Sequence, residues 1–367
     1  MILVWFVKQF ITRDLKWIKN TPIVILFVFL FWNILSCVNS GYAKESFRGI
    51  FKVIEYGLVF IIVSTSFYLA HSARVRKFFY VITAMAIPIT INGFVQYFTG
   101  TGFLRHRELI SLDSLRRISS SFVHPNDYGV YLVIVSIILI AAGISLGITL
   151  KKRALIFFVL GLSLVSLLLT GSRGAWISFV CAFLILGVLK SKKILVFFII
   201  SLIFIFFFLP NTAKDRLSGL TNFKSGSTWE RIMLWEGAIN MIKEHPVLGF
   251  GVNTYSRNFP LYKPKEYIDV RYSHNCYLHM ASEIGITGAV IFLIFLVATL
   301  ILSFKYIPFI NDHFSKAVVQ GLYAGLSGFL INSAFDTHLY SVTLAVFFYI
   351  SFGYLFLIGF YAAKKNK

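Results

Sequence analysis

The residues best suited to chemistry lie in one stretch, residues 272–288, which reads YSHNCYLHMASEIGITG. Its His274 closes a long polar interruption in an apolar sequence, just before the next apolar run begins. An imidazole at such a boundary meets water, and it is neutral over much of the range around pH 7, so it can accept a proton. Arginines in the polar segments can bind phosphate oxygens in a bidentate way. These residues predict a base that faces an anionic ligand at a membrane surface.

The composition is that of a membrane protein. The chain has 367 residues, of which 57% are hydrophobic and 40 are Phe, and its mean hydropathy is +0.78. A soluble core of this size does not need so much apolar content. The net charge of +20 does not indicate nucleic-acid binding, because Lys and Arg occur in short clusters between apolar runs, as membrane orientation requires.

Ten apolar runs are candidate spans, since a spanning helix needs about 20 mostly apolar residues. We expect an all-α polytopic fold with about ten transmembrane helices and a single integral domain over residues 1–367. The fifth and sixth spans are separated only by residues 170–173, which predicts a tight helical hairpin. The runs lie near 22–38, 50–70, 78–98, 128–150, 154–170, 174–189, 194–209, 285–304, 317–335 and 338–363.

The basic residues indicate the orientation. With the N-terminus inside, the short inner segments hold eighteen Lys and Arg, whereas the short outer links hold only Lys44, Arg48 and Arg173, with Lys52 just inside the second span. The positive-inside rule therefore predicts that both termini are cytoplasmic. The inner residues are Lys8, Arg13, Lys16, Lys19, Arg74, Arg76, Lys77, Lys151, Lys152, Arg153, Lys190, Lys192, Lys193, Lys305, Lys316, Lys364, Lys365 and Lys367.

Two long polar loops, about 99–127 and 210–275, then lie outside, and both are rich in basic residues: the first has four arginines, and the second has both lysine and arginine. In the second loop, Ser227 and Glu230 have the spacing of a helix capping box. An apolar stripe at helical spacing follows, and the helix should stop before Pro246. Beyond it, Gly249 and Gly251 predict a close backbone approach. The stripe consists of Ile232, Trp235, Ile239 and Ile242, and we expect it to face the outer leaflet or the tops of the spans.

Four segments resemble the O-antigen ligase/polymerase superfamily: TGSRGAW at 170–176, WERIMLWEGAINMIKEHPVLGFG at 229–251, SHNCYLHMASEIGITG at 273–288 and HPNDYG at 124–129. In the third, His274 and Asn275 are followed after nine residues by Gly285 and then by Gly288, which is similar to the family's ligase signature. The specific resemblance covers about residues 119–288. The flanking spans agree only in hydropathy, and the N-terminal part is short for the family.

The resemblance implies a glycosyltransferase of the bacterial inner membrane, active at the periplasmic face in the synthesis of lipopolysaccharide or another surface polysaccharide. It implies a glycan donor linked to undecaprenyl pyrophosphate, and no cofactor or metal. The acceptor stays open between lipid A–core (a ligase), a growing lipid-linked polysaccharide (a polymerase) and a protein (an oligosaccharyltransferase). The remaining partner is the lipid bilayer.

The resemblance also assigns residues. The family's histidine maps onto His274 as the catalytic base, and its phosphate-binding arginines map onto Arg173 and Arg231. A single displacement with this base would invert the anomeric centre. The other residues that we expect to contact substrate are Asn275, Arg271, Arg116, Arg117 and His124.

Other interpretations compete with these assignments. His274 could cap a helix, Arg173 could snorkel to the headgroups, and Arg231 could be an ordinary helix-surface charge. His124 could belong to a hydrogen-bonded helix start. A zinc site at His274, Cys276 and His279 is disfavoured, because a spacing of five does not put two histidines on one helix face. The three scattered cysteines do not indicate a disulfide framework.

A transporter or lipid flippase is the main rival function. Transporters place ionisable groups inside the membrane, where they are costly and therefore functional. The ten predicted spans carry few such groups, and Lys52 and Glu55 lie near an outer end. The sequence also lacks paired broken helices or inverted halves. A purely structural scaffold would leave the arginines of the two outer loops unexplained.

Overall fold

The computed structural model describes residues 20–65, 71–112, 115–191, 195–196, 226–264 and 272–365. The predicted seventh span, at 194–209, therefore lies largely outside the described residues, as does Arg271. The helices are α1 Thr21–Ser36, α2 Ala43–Thr65, α3 His71–Thr99, α4 Pro125–Gly143, α5 Leu150–Leu169, α6 Arg173–Lys190, α7 Gly226–Glu244, α8 Tyr255–Tyr262, α9 Cys276–Tyr306, α10 His313–Asn332 and α11 Val342–Lys365. A short antiparallel ribbon pairs β1 Ile110–Leu112 with β2 Leu115–Arg117.

Seven helices in the described part of the chain are long and apolar enough to cross a membrane. They correspond to seven of the ten predicted spans and confirm the all-α polytopic fold class. The first predicted span is a shorter apolar helix, Thr21–Ser36. The second is α2, whose first thirteen residues carry five charged side chains. The seven are Ala73–Thr99, Pro125–Gly143, Leu150–Leu169, Arg173–Lys190, Cys276–Phe309, His313–Asn332 and Val342–Phe360.

The chain divides into two compact units. The first comprises residues 1–67, 219–303 and 333–357, and the second comprises residues 68–218, 304–332 and 358–367. The prediction of a single integral domain over 1–367 stays a prediction beside this division. The two units are described separately below.

In the second unit, α4 lies at the centre. Its residues are apolar almost all round, which is typical of a fully surrounded helix, and nearly all of them are buried. Helix α10 packs on α4 and α6 through glycines. A Cβ at Gly321 would lie 2.8 Å from the Ala141 Cβ, and one at Gly328 would lie 2.7 Å from the Ala182 Cβ. Small residues thus let the backbones approach closely, as in other membrane helix pairs.

In the first unit, aromatic side chains join α2, α9 and α11. Phe60 contacts Phe295 edge to face with ring centroids 5.0 Å apart, and it also meets Phe352. Gly353 makes room beside Phe60, since a Cβ there would lie 2.9 Å from the Phe60 carbonyl oxygen. Edge-to-face pairs add to the stability gained from burial alone.

The helix expected in the second polar loop is α7. It begins at Gly226, one residue before Ser227, and it ends at Glu244, before Pro246 as expected. The expected stripe is not its buried face: Ile239 is 40% exposed, and the other three stripe residues are half-buried. The face that is buried packs on α8 and consists of Leu234, Ala238 and Met241, in contact with Tyr255 and Phe259. One stripe residue, Trp235, packs against this buried cluster, and the expectation that the stripe faces the outer leaflet or the tops of the spans stays a prediction.

Candidate active site

His274 lies in the loop that leads into α9, and its backbone is unusual. Its φ is +49°, in the left-handed region that side-chain-bearing residues visit rarely and mostly at functional sites. The loop is anchored on both sides of this residue. The Ser273 hydroxyl donates to the Asn275 carbonyl at 2.8 Å, and the Cys276 amide donates to the Ser333 carbonyl at 2.8 Å. These bonds fix the backbone on both sides of His274, so its imidazole lies beside the loop between α10 and α11.

The partner of His274 is Asp336, which precedes the 3-10 turn His338–Tyr340. The His274 Nδ1 lies 2.8 Å from the Asp336 Oδ1. The histidine side chain is 42% exposed, whereas the aspartate side chain is only 12% exposed. The same carboxylate oxygen accepts the Thr337 amide at 2.8 Å, and the Asp336 carbonyl accepts the Cys276 thiol at 3.3 Å. The carboxylate is therefore held in place while the imidazole remains accessible.

Asp336 is ionised in this setting. Burial by itself would raise its pKa, but the hydrogen bond from His274 and the electrostatic effects of His338, His274 and Arg231 lower the pKa well below its usual range. An ionised carboxylate only accepts hydrogen bonds, so Nδ1 of the neutral imidazole must carry the proton. The lone pair then lies on Nε2, at the far side of the ring. This arrangement orients a histidine for work as a general base.

Arg231 belongs to the same environment. It lies in the first turns of α7 and is half-buried, and its charge contributes to the low pKa of Asp336. The first unit thus brings together His274, Asp336 and Arg231. A guanidinium beside a base can bind an anionic group next to the atom that loses a proton.

Helix α9 is interrupted directly below this site. Ile284 and Gly285 have non-helical dihedral angles, with Gly285 at φ +72° and ψ 168°, a region that is essentially restricted to glycine. The turn 246–251 packs into this kink: the Phe250 amide donates to Ser282 O at 3.1 Å, and the Ile286 amide donates to Pro246 O at 2.8 Å. A Cβ at Gly285 would collide with the Val247 carbonyl. The glycine at position 285 of the motif therefore meets a requirement of the backbone.

The kink also explains why positions 288 and 249 are occupied by glycine. The Trp32 indole donates to the Ile284 carbonyl at 2.9 Å, and a Cβ at Gly288 would lie 2.6 Å from Trp32 Cδ1. Gly249, at φ +67°, packs against the Glu283 backbone, as the close approach predicted for Gly249 and Gly251 requires. These contacts fix α9 and hence the loop that carries His274.

Buried Glu283 forms a second polar group in the first unit. It is 2% exposed, and its Oε1 accepts the Tyr255 amide at 3.1 Å and lies 3.4 Å from the His279 Nε2. Its Oε2 accepts the Tyr340 hydroxyl at 3.4 Å. The His279 ring lies between Tyr255 and Tyr340, with centroids 4.2 and 4.1 Å away. A carboxylate buried this deeply stays only because it is hydrogen-bonded.

In the second unit, Arg117 and Arg173 lie around the hairpin between α5 and α6. The Arg117 Nε donates to the Thr170 carbonyl at 2.8 Å, and its Nη2 donates to Asn126 Oδ1 at 2.8 Å. Arg173 is the first residue of α6, after the N-cap Ser172. Gln96 of α3 positions the preceding loop, because its Oε1 accepts the Ser119 and Ser120 amides. The tight hairpin predicted for residues 170–173 is confirmed.

The other predicted residues have different surroundings. The Asn275 Oδ1 accepts the Tyr277 and Leu278 amides at 2.9 and 3.0 Å, so it caps α9 in the way that N-cap residues do. The Arg116 guanidinium lies over the Tyr97 ring, 5.4 Å from its centroid. His124 is exposed and precedes α4 without a side-chain cap bond. Substrate contact by these three residues stays a prediction.

The sequence reasoning missed Asp336 and Glu283. Asp336 lies in the turn between the ninth and tenth predicted spans, and the predicted topology puts that turn on the same side as His274. An acidic residue at that position was therefore a usable signal. The sequence predicts an eighth span at 285–304, which begins just after Glu283. Helix α9 begins at Cys276, so His279 and Glu283 belong to that candidate span, although the predicted spans carry few ionisable groups.

Part of the chain matches a known protein family. Residues 156–293 match the family model described as O-antigen ligase. This segment contains Arg173, α7 with Arg231, and the loop and kink from His274 to Gly288. A search of curated proteins gave no match.

Proposed function

Because the chain belongs to the O-antigen ligase/polymerase superfamily, we propose that it transfers a glycan from undecaprenyl pyrophosphate to an acceptor hydroxyl. We place the reaction at the periplasmic face of the bacterial inner membrane. The observation that carries the proposal is the 2.8 Å pair of His274 and Asp336. It presents an exposed imidazole, held in one tautomer, at the position of the family's histidine.

In the proposed step, the Nε2 of His274 takes the proton of the acceptor hydroxyl. The acceptor oxygen forms a bond to the anomeric carbon, and the bond from that carbon to the pyrophosphate oxygen breaks. Undecaprenyl pyrophosphate leaves with the electron pair, and the anomeric centre inverts. Pyrophosphate is a good leaving group, so the base is needed at the hydroxyl, which is a poor nucleophile. The proton then passes from His274 to water.

Arginines supply the counter-charge for the leaving group in this proposal. Arg231 is supported by its electrostatic effect on Asp336, and Arg173 is supported by its place in the TGSRGAW segment of the matched region. Guanidinium groups bind phosphate oxygens in a bidentate way and stabilise charge that grows on the departing group. The assignment of both arginines rests on the family resemblance as well as on their positions.

The direct test is transfer by the purified full-length protein, reconstituted in nanodiscs with an undecaprenyl-pyrophosphate glycan. His274→Gln should insert and fold like the parent but lose roughly 10²–10⁴-fold in rate, which is the usual contribution of a general base. Glutamine keeps hydrogen-bonding capacity without basicity. Full transfer by the glutamine variant would exclude His274 as the base.

The acceptor is identified in the same assay. Lipid A–core, a second lipid-linked glycan and a protein acceptor are offered separately, and the parent should glycosylate one of them. We favour the ligase-type acceptor, because the matched family is described as O-antigen ligase. Movement of the lipid-linked glycan across the bilayer without transfer to any acceptor would favour a transporter instead.

A further inference from the structure

The first unit contains a cavity of about 100 Å³ that the proposed reaction leaves unused. Sixteen side chains line it, contributed by α1, α2, α9 and α11, by the turn at 252–253, and by the loops around Tyr272 and Tyr340. The floor is buried, because Phe292 and Glu283 are almost inaccessible, whereas Tyr272 at the rim is 41% exposed. The lining residues used below are Lys52, Val53, Tyr272, Glu283 and Tyr340.

The cavity combines aromatic faces with polar groups of both charges. Six of its sixteen lining residues are Phe or Tyr. Each carboxylate oxygen of Glu283 can accept two hydrogen bonds, and Oε2 receives one, from the Tyr340 hydroxyl. Lys52 has no ion-pair or hydrogen-bond partner among the described residues and contributes three donors. Acceptors and donors therefore converge on one space between aromatic rings.

The size and polarity of the cavity select the ligand. An engineered cavity of about 150 Å³ admits a benzene molecule, so the cavity here, at about 100 Å³, has room for one edge of a ring, with the rest of the ring outside the exposed rim at Tyr272, and not for an oligosaccharide. A polyprenyl tail fits less well, because hydrocarbon would leave the remaining acceptor position of Glu283 Oε2 unused inside the cavity. A phosphate is disfavoured because that carboxylate would repel it. A neutral sugar ring satisfies both features, with C–H faces for the aromatic rings and hydroxyls for the polar groups.

We propose that this cavity binds one neutral pyranose ring of the glycan substrates. The cavity adjoins the candidate active site along the chain, since Tyr272 precedes His274 by two residues and Tyr340 follows Asp336 by four. Glu283 and Lys52 bind the hydroxyls, and the tyrosines pack on the ring. The identification of the ring as part of a substrate rests on the proposed function, whereas the binding of a sugar does not.

Binding is measured first, without any transfer. Methyl glycosides of glucose, galactose and N-acetylglucosamine are added to the full-length protein in nanodiscs, and saturation-transfer NMR detects contact. At least one should give signals with the parent and with His274→Ala, which lacks the base. Val53→Trp should reduce the signals by filling the cavity, and Lys52→Met should weaken binding about 5- to 10-fold by removing a charged donor. Thermal melting verifies that each variant is folded.

Matched controls lie on the same helix. Lys44→Met and Phe47→Trp make equivalent changes at exposed α2 positions outside the cavity and should leave the signals unchanged. Inorganic phosphate at equal concentration should displace nothing. Absence of signal from all three glycosides, equal signals in Val53→Trp and the parent, or displacement by phosphate would each overturn the sugar site.

The source of the ring is resolved by kinetics in the transfer assay. Lys52→Met should raise the KM for one substrate about 5- to 10-fold: a rise for the acceptor assigns the ring to the acceptor, and a rise for the donor assigns it to the donor. Unchanged KM values for both substrates would contradict a role in transfer. If the parent binds a glycoside but transfers no glycan, the proposed function is refuted and the sugar site still stands.

Discussion

At the scale of single residues, Asp336 affects His274 in two ways: through the geometry of their hydrogen bond and through its negative charge. Its carboxylate fixes the proton on Nδ1, so the lone pair on Nε2 faces away from the protein. Its negative charge also compensates the positive imidazolium that forms when the base takes a proton. Both effects act through one 2.8 Å contact and require the carboxylate to stay ionised.

Asp336→Asn should lower transfer by roughly 10²–10⁴-fold, because an amide can donate to Nδ1 and select the wrong tautomer, as happens in serine-protease triads. The measurement is the rate of transfer at saturating donor, together with donor binding, which should be retained. Ser333→Ala, in the same loop, is a control that keeps its carbonyl bond to Cys276. A fully active asparagine variant would show that Asp336 does not orient the base.

The pH dependence of stability gives an independent measure of the same pair. The pKa of Asp336 is lowered in the folded protein, so its contribution to stability is complete above the unfolded value of about 3.9 and is lost as the pH falls below it. The difference in melting temperature between the parent and Asp336→Asn should therefore shrink as the pH falls below about 4. A difference that did not shrink in this acidic range would argue against an ionised aspartate.

The arginines are also tested residue by residue. Arg231→Lys and Arg173→Lys should each keep the charge but lose most of the transfer activity, because an ammonium cannot form the bidentate contacts of a guanidinium. Donor binding should weaken further in the alanine variants. Arg257→Lys is the matched control, since its guanidinium is exposed and already pairs with Glu45 at 2.8 Å. Unchanged donor binding in the Arg231 and Arg173 variants would place the pyrophosphate clamp elsewhere.

At the scale of elements, the interrupted helix α9 is the support of the site. A straight helix would leave no room for the turn 246–251, whose amides bond to the carbonyls of Ser282 and Glu283. The kink frees the Ile284 carbonyl from the helix. Trp32 donates a hydrogen bond to it, so this backbone acceptor still has a partner. The glycines of the motif thus meet requirements of the backbone, whereas the chemical role is proposed for the histidine.

Gly285→Ala should destabilise the protein by about 2–4 kcal/mol, because a side chain at this φ and ψ is strained and would collide with the Val247 carbonyl. The measurement is the melting temperature in detergent. The control is Gly161→Ala in α5, where a Cβ would meet nothing within 4 Å and helix propensity would improve by about 1 kcal/mol. Equal melting temperatures for the two variants would refute the role assigned to the kink.

At the scale of the whole molecule, the distribution of charge indicates orientation. Eighteen Lys and Arg lie in the short segments predicted to be inside, while the proposed reaction needs the site on the outer face. The membrane potential and the charge rule act on short loops near helix ends, so the arginines of the long loops can serve substrate binding without reversing the insertion.

Cysteine labelling tests this orientation. In a parent without Cys37, Cys181 and Cys276, Leu261→Cys should react with a membrane-impermeant maleimide in intact cells, whereas Leu146→Cys should react only after permeabilisation. Both leucines are largely exposed. Leu146 was included in the fourth predicted span but lies between α4 and α5, and the fifth, sixth and seventh predicted spans separate it from Leu261. The cysteine-free parent controls for background. The reverse pattern would overturn the orientation and the outer active site together.

Local properties of the sequence determined much of this protein. Runs of about 20 apolar residues identify spans because the bilayer sets the length of a helix, and seven of the ten predicted spans are confirmed among the described residues. The hairpin at 170–173 and the end of α7 before Pro246 were likewise predictable, since capping and proline act on neighbouring residues. The resemblance at His274 to Gly288 suggested His274 as the base that we propose.

Only the tertiary structure decided which residues meet. Asp336 is 62 positions from His274, and its contact depends on two loops being brought together by packed helices, which no local periodicity encodes. The buried face of α7 was missed for a related reason: the helix has apolar residues on two sides, and the choice between them is made by α8. Asn275 caps a helix because α9 begins well before its kink. Hydropathy averaged over a span-length window does not show where that helix begins. Pairing over long sequence distances belongs to the fold, whereas hydropathy and turn chemistry belong to the chain.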